Sequence, residues 1–368
     1  LFASYIEKED TYFIIDLSAV SVVHPLPGIH LSATKTLLRE IKTNEFEVIA
    51  IWINKTDTVL RPSDQDAWEL AKYFVLQGCS LCATLVIHPL LHFPFDTVNA
   101  ITKTSLPKDH VLFKLLYPHL RFTLALENAV LNFKSSLVMN KSWMGYAPFP
   151  GSEGLRDLLV QGYKGIEGND SYPSFRYPRK PLKVFSRYGE FQDRYYEVFH
   201  SYVSNILKNI GDEDEYILEW AKGIAQHIPG FPCEEEIFED NNLIDCVAYF
   251  LWVVSVGHAI DHYTYGNMDI QQVPLRIRQS APLKNIELKN RKSLCSLIDL
   301  GKYKMAQTLF FKPSNVTYLY KTKYEFNDQS LQNYASKFLN DLSLLDNELK
   351  AEGIQYIPLR EIAASVQY

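Results

Sequence analysis

Ten histidines are spread over 368 residues, and four of them form two pairs of identical spacing: His88 and His92 in HPLLH, His258 and His262 in HAIDH. On an α-helix, residues i and i+4 lie one turn apart on the same face, so each pair aims two imidazoles in one direction. Random placement of ten histidines yields well under one such pair. Both pairs sit in apolar stretches, where an imidazole needs a partner for each ring nitrogen. Two helices that each present an i,i+4 pair can close on one metal ion, and that is the chemistry these residues point to. The remaining histidines lack ligand spacing. His110 and His119 read as structural groups that tie segments together, and His24, His30, His200 and His227 read as surface or core residues.

The elements that must position these pairs can be read from periodicity. YFIID at 12–16 and FEVIAIWIN at 46–54 are β-branched and aromatic runs, which read as short strands. From Trp68 onward the pattern turns helical, with Trp68, Ala71, Lys72, Phe74 and Val75 leading into the first histidine pair. Pro89 and Pro94 each remove a backbone donor there, so a kink or break near His88 is expected. Residues 145–182, rich in Gly, Pro and aromatics, suggest a long irregular connection. Helical periodicity returns at 186–229. The run Leu243 to Ile260 is the most apolar, but Asp245 interrupts it, so it reads as a buried core helix and not a membrane span. A final amphipathic helix from about Asp328 carries Leu331, Tyr334, Phe338, Leu342, Leu345 and Leu349 on one stripe and stops at Gly353.

Bulk properties limit the function classes. A hydrophobic content of 47% with 22% charged residues describes a folded globular chain, and a net charge of −6 gives no electrostatic reason to bind nucleic acid. The five cysteines make no disulfide framework. CSLC at 79–82 has the spacing of a zinc knuckle, yet no second CxxC completes four ligands. The chain begins at Leu1 with no visible signal sequence, and a cytoplasmic location is expected. Oligomeric state is left open.

One stretch is more specific. LPKDHVLFKLLYPHLRFTL at 106–124 resembles the lipoxygenase signature, at Leu106, Pro107, His110, Phe113, Lys114, Leu115, Leu116, Pro118, His119, Arg121, Thr123 and Leu124. Trp68, Ala71 and Lys72 resemble the family's W-x-x-A-K element, and GHAIDH resembles its third ligand segment. The resemblance implies a mainly α, lipoxygenase-like catalytic domain with a few short N-terminal strands. It would be a single domain over 1–368, with 1–60 as its strand-rich layer and no N-terminal β-barrel domain. It further implies a mononuclear non-haem iron held by His88, His92 and His258, with His262 as a weaker ligand and the terminal carboxylate of Tyr368 completing the set; manganese suits the same donors.

The implied reaction removes a hydrogen atom from a bis-allylic carbon of a polyunsaturated fatty acid or related acyl chain, and O2 traps the radical to give a hydroperoxide. The sequence departs from the family in three ways. His88 and His92 are four apart, where the family has five positions and a π-type bulge; loss of the extra residue implies reversion to α geometry. The chain ends in Tyr368 in place of the usual Ile. Ala364 and Glu127 stand where the family often has Asn. Two alternatives stay open: a metalloenzyme of the same fold running hydroperoxide rearrangement or oxidation of a biosynthetic intermediate, and a metal-free lipid-binding protein. Lys114 and Arg121 could meet a substrate carboxylate, although structural ion pairs are the commoner role.

Overall fold

The β-branched runs near the N-terminus pair into a small antiparallel sheet, and the regular structure after it is mostly helical among the described residues. The computed structural model describes the chain except residues 122–129, 132–135, 137, 139–148, 209, 212, 270–272, 274, 289, 291–293, 310, 312–315 and 367–368. Its strands are β1 (Tyr12–Asp16), β2 (His24–Pro25), β3 (Thr34–Lys42), β4 (Glu45–Ile53), β5 (Thr58–Leu60) and β6 (Gly151–Glu153). Its longer helices are α1 (Asp66–Cys82), α2 (His88–Ser105), α3 (Val111–Leu116), α4 (Leu155–Lys164), α5 (Arg187–Leu207), α6 (Glu215–Ala225), α7 (Asn242–Trp252), α8 (His258–Asn267), α9 (Leu297–Leu309) and α10 (Gln329–Glu352). Contacts group the chain into two units. The first holds Leu1–Pro89, Asn128–Ser174 and Tyr265–Phe311; the second holds Leu90–Glu127, Phe175–Thr264 and Lys312–Tyr368.

In the first unit the sheet runs β1-β3-β4-β5, antiparallel throughout. Its inner face places Ile51, Ile53 and Leu60 against Trp68, Leu70 and Phe74 of α1. The sheet therefore anchors the helix that leads to His88. Helix α4 lies inside the stretch expected to be irregular. Leu155, Leu158, Leu159 and Gly162 give it a buried stripe, and Gly154, at φ +79°, turns the chain into it in a conformation that a side chain would strain. The glycines that suggest a loop are the start signal and the packing surface of a short helix.

In the second unit α3, α5, α6, α7, α8 and α10 surround an aromatic core that includes Tyr195, Phe199, Trp220 and Phe338. Asp328 caps α10 by accepting from the Ser330 and Leu331 amides, and Gly353 ends it at φ +68°. The stripe read from sequence is the buried one, at Phe338, Leu342, Leu345 and Leu349.

Two helical stretches, Asp66–Ser105 and Glu239–Asn267, are long and apolar enough to cross a membrane by length and composition; 61% and 83% of their apolar windows are buried inside the protein. The second is longer than the apolar run implies, because α7 and α8 are continuous through a π turn. The expected break near His88 does not occur either. The chain stays helical from α1 through α2, with Pro94 inside it. Pro89 follows a π turn, and a π turn shifts the backbone hydrogen-bond ladder, which is where a residue lacking an N–H is tolerated.

Candidate metal centre

Both histidine pairs are delivered by the same local device. Ala83–Ile87 forms a π turn that ends directly before His88, and Val253–Gly257 forms a second that ends directly before His258. The loss of π geometry inferred from the four-residue spacing is thus corrected. His88 to His92 is α-helical, as the spacing requires, while the π turn survives one step upstream. A π turn is a costly, rare conformation that widens the helix and re-aims the side chains of the next turn.

Packing supports each of them. At the first, Gly162 of α4 lies so close that a Cβ there would stand 3.0 Å from the Val86 Cα and 3.1 Å from its carbonyl oxygen. At the second, all five residues are buried, and the Ser255 hydroxyl donates to the Leu251 carbonyl at 2.5 Å and approaches that of Trp252 at 3.3 Å. That side chain satisfies carbonyls which the π turn draws out of register.

Three of the imidazoles converge in the second unit: His92, His258 and His262 are buried, and one ligating nitrogen from each lies within 4.8 Å of the others. His88, also buried, precedes His92 by one turn of the same continuous helix. Within the second unit the His92 and His258 Nε2 atoms are 2.8 Å apart, with their rings edge to face at 81°. His258 and His262 rings lie 4.4 Å apart. This donor set fits a metal ion. Two imidazole nitrogens bound side by side to one ion at about 2.1 Å stand roughly 3 Å apart, close to the His92–His258 separation. Protonating the group would crowd like charges in a buried site, whereas a cation takes up several inward lone pairs at once.

Further buried polar residues lie on the helices that carry the histidines. Asp96 and Asn99 are 3% and 2% exposed and continue the His88–His92 stripe down α2. Sequence reasoning passes over both, although their i+4 step from His92 and i+3 step from Asp96 are a usable signal. Asp261, between the histidines of the second pair, is buried at 7% exposure. Tyr368, Thr123, Leu124 and Glu127 lie outside the described residues.

The tail leading to Tyr368 is placed by backbone bonds. The Ala364 amide donates to the Thr317 carbonyl at 2.8 Å, and its carbonyl accepts from the His119 Nδ1–H at 2.6 Å. Neither bond uses the residue 364 side chain, so alanine serves where an Asn is common. His119 Nε2 faces the Tyr324 hydroxyl at 2.8 Å, and the Ser365 hydroxyl donates to the His119 carbonyl at 2.6 Å. The buried ring is neutral, with burial pushing its pKa down to about 4 against a smaller opposing effect of the Ala364 carbonyl. His110 caps α3 by accepting from the Leu112 amide, which leaves Nε2–H to bond Asp214 at 3.1 Å.

Among the described residues, the cysteines of CSLC join no group of three or more metal-ligating side chains. Both are free, and burial raises Cys79 to about 11 and Cys82 to about 12.

No family model matches the chain. It is 22% identical over 382 residues to the polyunsaturated fatty acid lipoxygenase ALOX12 of Mus musculus, a match covering 94% of this chain and 56% of that protein. It is 26% identical over 242 residues to linoleate 9S-lipoxygenase 2 of Solanum tuberosum, covering 55% and 27%. Among solved structures, coral 8R-lipoxygenase superposes with a TM-score of 0.75 at 18% identity, covering 97% of this chain and 59% of that one. The manganese lipoxygenase of Gaeumannomyces graminis superposes at 0.71 with 16% identity, covering 97% and 70%. The chain therefore spans about half the length, or less, of these curated relatives. Its mainly helical architecture is the fold of the lipoxygenase catalytic domain, and the chain is a lipoxygenase-like protein.

Proposed function

We propose that this chain is a mononuclear non-haem iron dioxygenase that inserts O2 into a polyunsaturated fatty acid or related acyl chain to give a hydroperoxide. The reading rests chiefly on the buried histidine pairs carried by two helices with matching π turns, three of whose imidazoles converge within the second unit. Its relatives support the substrate class: two are named for polyunsaturated fatty acid and linoleate, and a structurally similar lipoxygenase was solved with arachidonate. His88, His92, His258 and His262 would hold the ion; manganese suits the same set. When bound, such an ion supplies the one-electron chemistry that takes a hydrogen atom from a bis-allylic carbon and lets O2 trap the pentadienyl radical.

The chain's own residues supply the setting. Val253, Val254 and Val256 around the second π turn are buried, which keeps water from that side of His258. Asp96, Asn99 and Asp261 provide buried polar groups on the two ligand helices, suited to orienting the imidazoles.

Oxygen uptake and conjugated-diene absorbance test the reading. Linoleate and arachidonate should consume O2 and form dienes, a monoenoic acid should not, and His258→Ala should lower the rate by about a hundredfold or more. An iron-loaded chain that consumes no O2 with any free or esterified polyenoic chain, yet converts their hydroperoxides, would replace dioxygenation with rearrangement on the same fold.

A further inference from the structure

The second unit also carries a groove that none of the four histidines lines. It has a volume of about 610 Å³ and lies between Lys108–Arg121 and Thr317–Asn327. Among the described residues five cations line it, Lys108, Lys114, Arg121, Lys321 and Lys323, against one carboxylate, Glu325. That density of positive charge is local, since the whole chain has a net charge of −6. No ion pair joins any of the five to a carboxylate among the described residues. Arg121 donates through Nη1 to the Thr317 hydroxyl at 3.2 Å, which leaves other guanidinium donors for a ligand. Lys321 is held over the rings of Tyr318 and Tyr320 at 6.0 and 5.3 Å.

The arrangement is built by local structure. From Lys321 to Asn327 exposure alternates residue by residue: Lys321, Lys323, Glu325 and Asn327 face out, while Thr322, Tyr324 and Phe326 are buried. The extended backbone thus fixes two lysines on the groove side while two rings anchor it to the core. Thr322 is the exception to a plain structural reading. Its side chain is 3% exposed, lines the groove, and its hydroxyl has no hydrogen-bond partner among the described residues. A buried hydroxyl left without a partner is destabilising, and a ligand oxygen in the groove would satisfy it.

We infer that this groove is a binding site for phosphoryl groups. Several cations, one of them a guanidinium, beside a hydroxyl that can donate, are suited to an oxyanion carrying more than one negative charge. A single carboxylate would leave most of the positive charge unmatched. The ligand is a polyphosphorylated group, either free or at the head of a lipid.

The test uses the full chain and two probes, sodium tripolyphosphate by titration calorimetry and phosphatidylcholine vesicles containing phosphatidylinositol bisphosphate by co-sedimentation. Tripolyphosphate should bind one to one, and Lys321→Glu/Lys323→Glu, at two exposed positions, should weaken binding at least about tenfold with an unchanged thermal midpoint. Lys183→Glu/Lys350→Glu, which alters net charge equally but elsewhere, should leave it within about twofold. Vesicle binding that exceeds that of phosphatidylserine vesicles of matched charge, and that is lost in the same double variant, would assign the lipid source; tripolyphosphate binding alone would assign the free one. Binding of neither probe would overturn the inference, as would equal weakening by both double variants.

Discussion

His119 shows how one buried side chain sets a pH limit. Its pKa is about 4 in the folded chain, against an ordinary value of 6.5, with burial as the main cause. Between those two pH values the unfolded chain binds a proton that the native state does not, so stability falls as pH drops from 6.5 to about 4 and is fully present above 6.5. The difference amounts to about 3 kcal/mol. His119→Gln should flatten the urea-midpoint profile across that window relative to the parent; an unchanged slope would remove His119 as the source. The histidine spacing alone makes the metal group legible, because i,i+4 geometry is a property of the helix. Asp96 and Asn99 are harder to see, since polar residues on a helix are usually solvated and their i+4 and i+3 steps along the histidine stripe gain weight only with their burial.

At the scale of elements, the π turns depend on close packing. Gly162 allows α4 to reach the Val86 backbone, so Gly162→Val should destabilise the chain by about 1–3 kcal/mol and reduce bound metal through displacement of the turn before His88. Gly301 is a useful contrast. It sits in α9 with nothing within 4 Å of the point a Cβ would occupy, and Gly301→Ala should stabilise by about 0.5–1 kcal/mol. Thermal unfolding of both variants checks the pair, and equal effects would contradict the packing argument. β1 and β4 are visible in the sequence as β-branched and aromatic runs, but β3, which pairs with both, has no such run. Its register shifts at Leu37/Leu38, which breaks the two-residue period, and it buries Thr34 and Thr36 where an apolar pattern would be sought. The helix at 155–164 is hidden by flanking glycines that serve as its boundaries.

For the whole molecule, two long apolar helices serve mostly as core, and each bears one histidine pair just after its π turn. Their role is legible because apolar length with interspersed His and Asp suits a protein interior. The π turns are not, since they rest on packing from elsewhere in the chain, such as α4 against Val86. The central claim is that the four histidines hold one redox-active ion. Inductively coupled plasma mass spectrometry on the chain purified with an untagged C-terminus tests it most directly. About one iron or manganese per chain is expected, falling to about a tenth or less in His258→Ala. A parent chain that stays metal-free after anaerobic reconstitution with ferrous iron, while remaining folded, would contradict it.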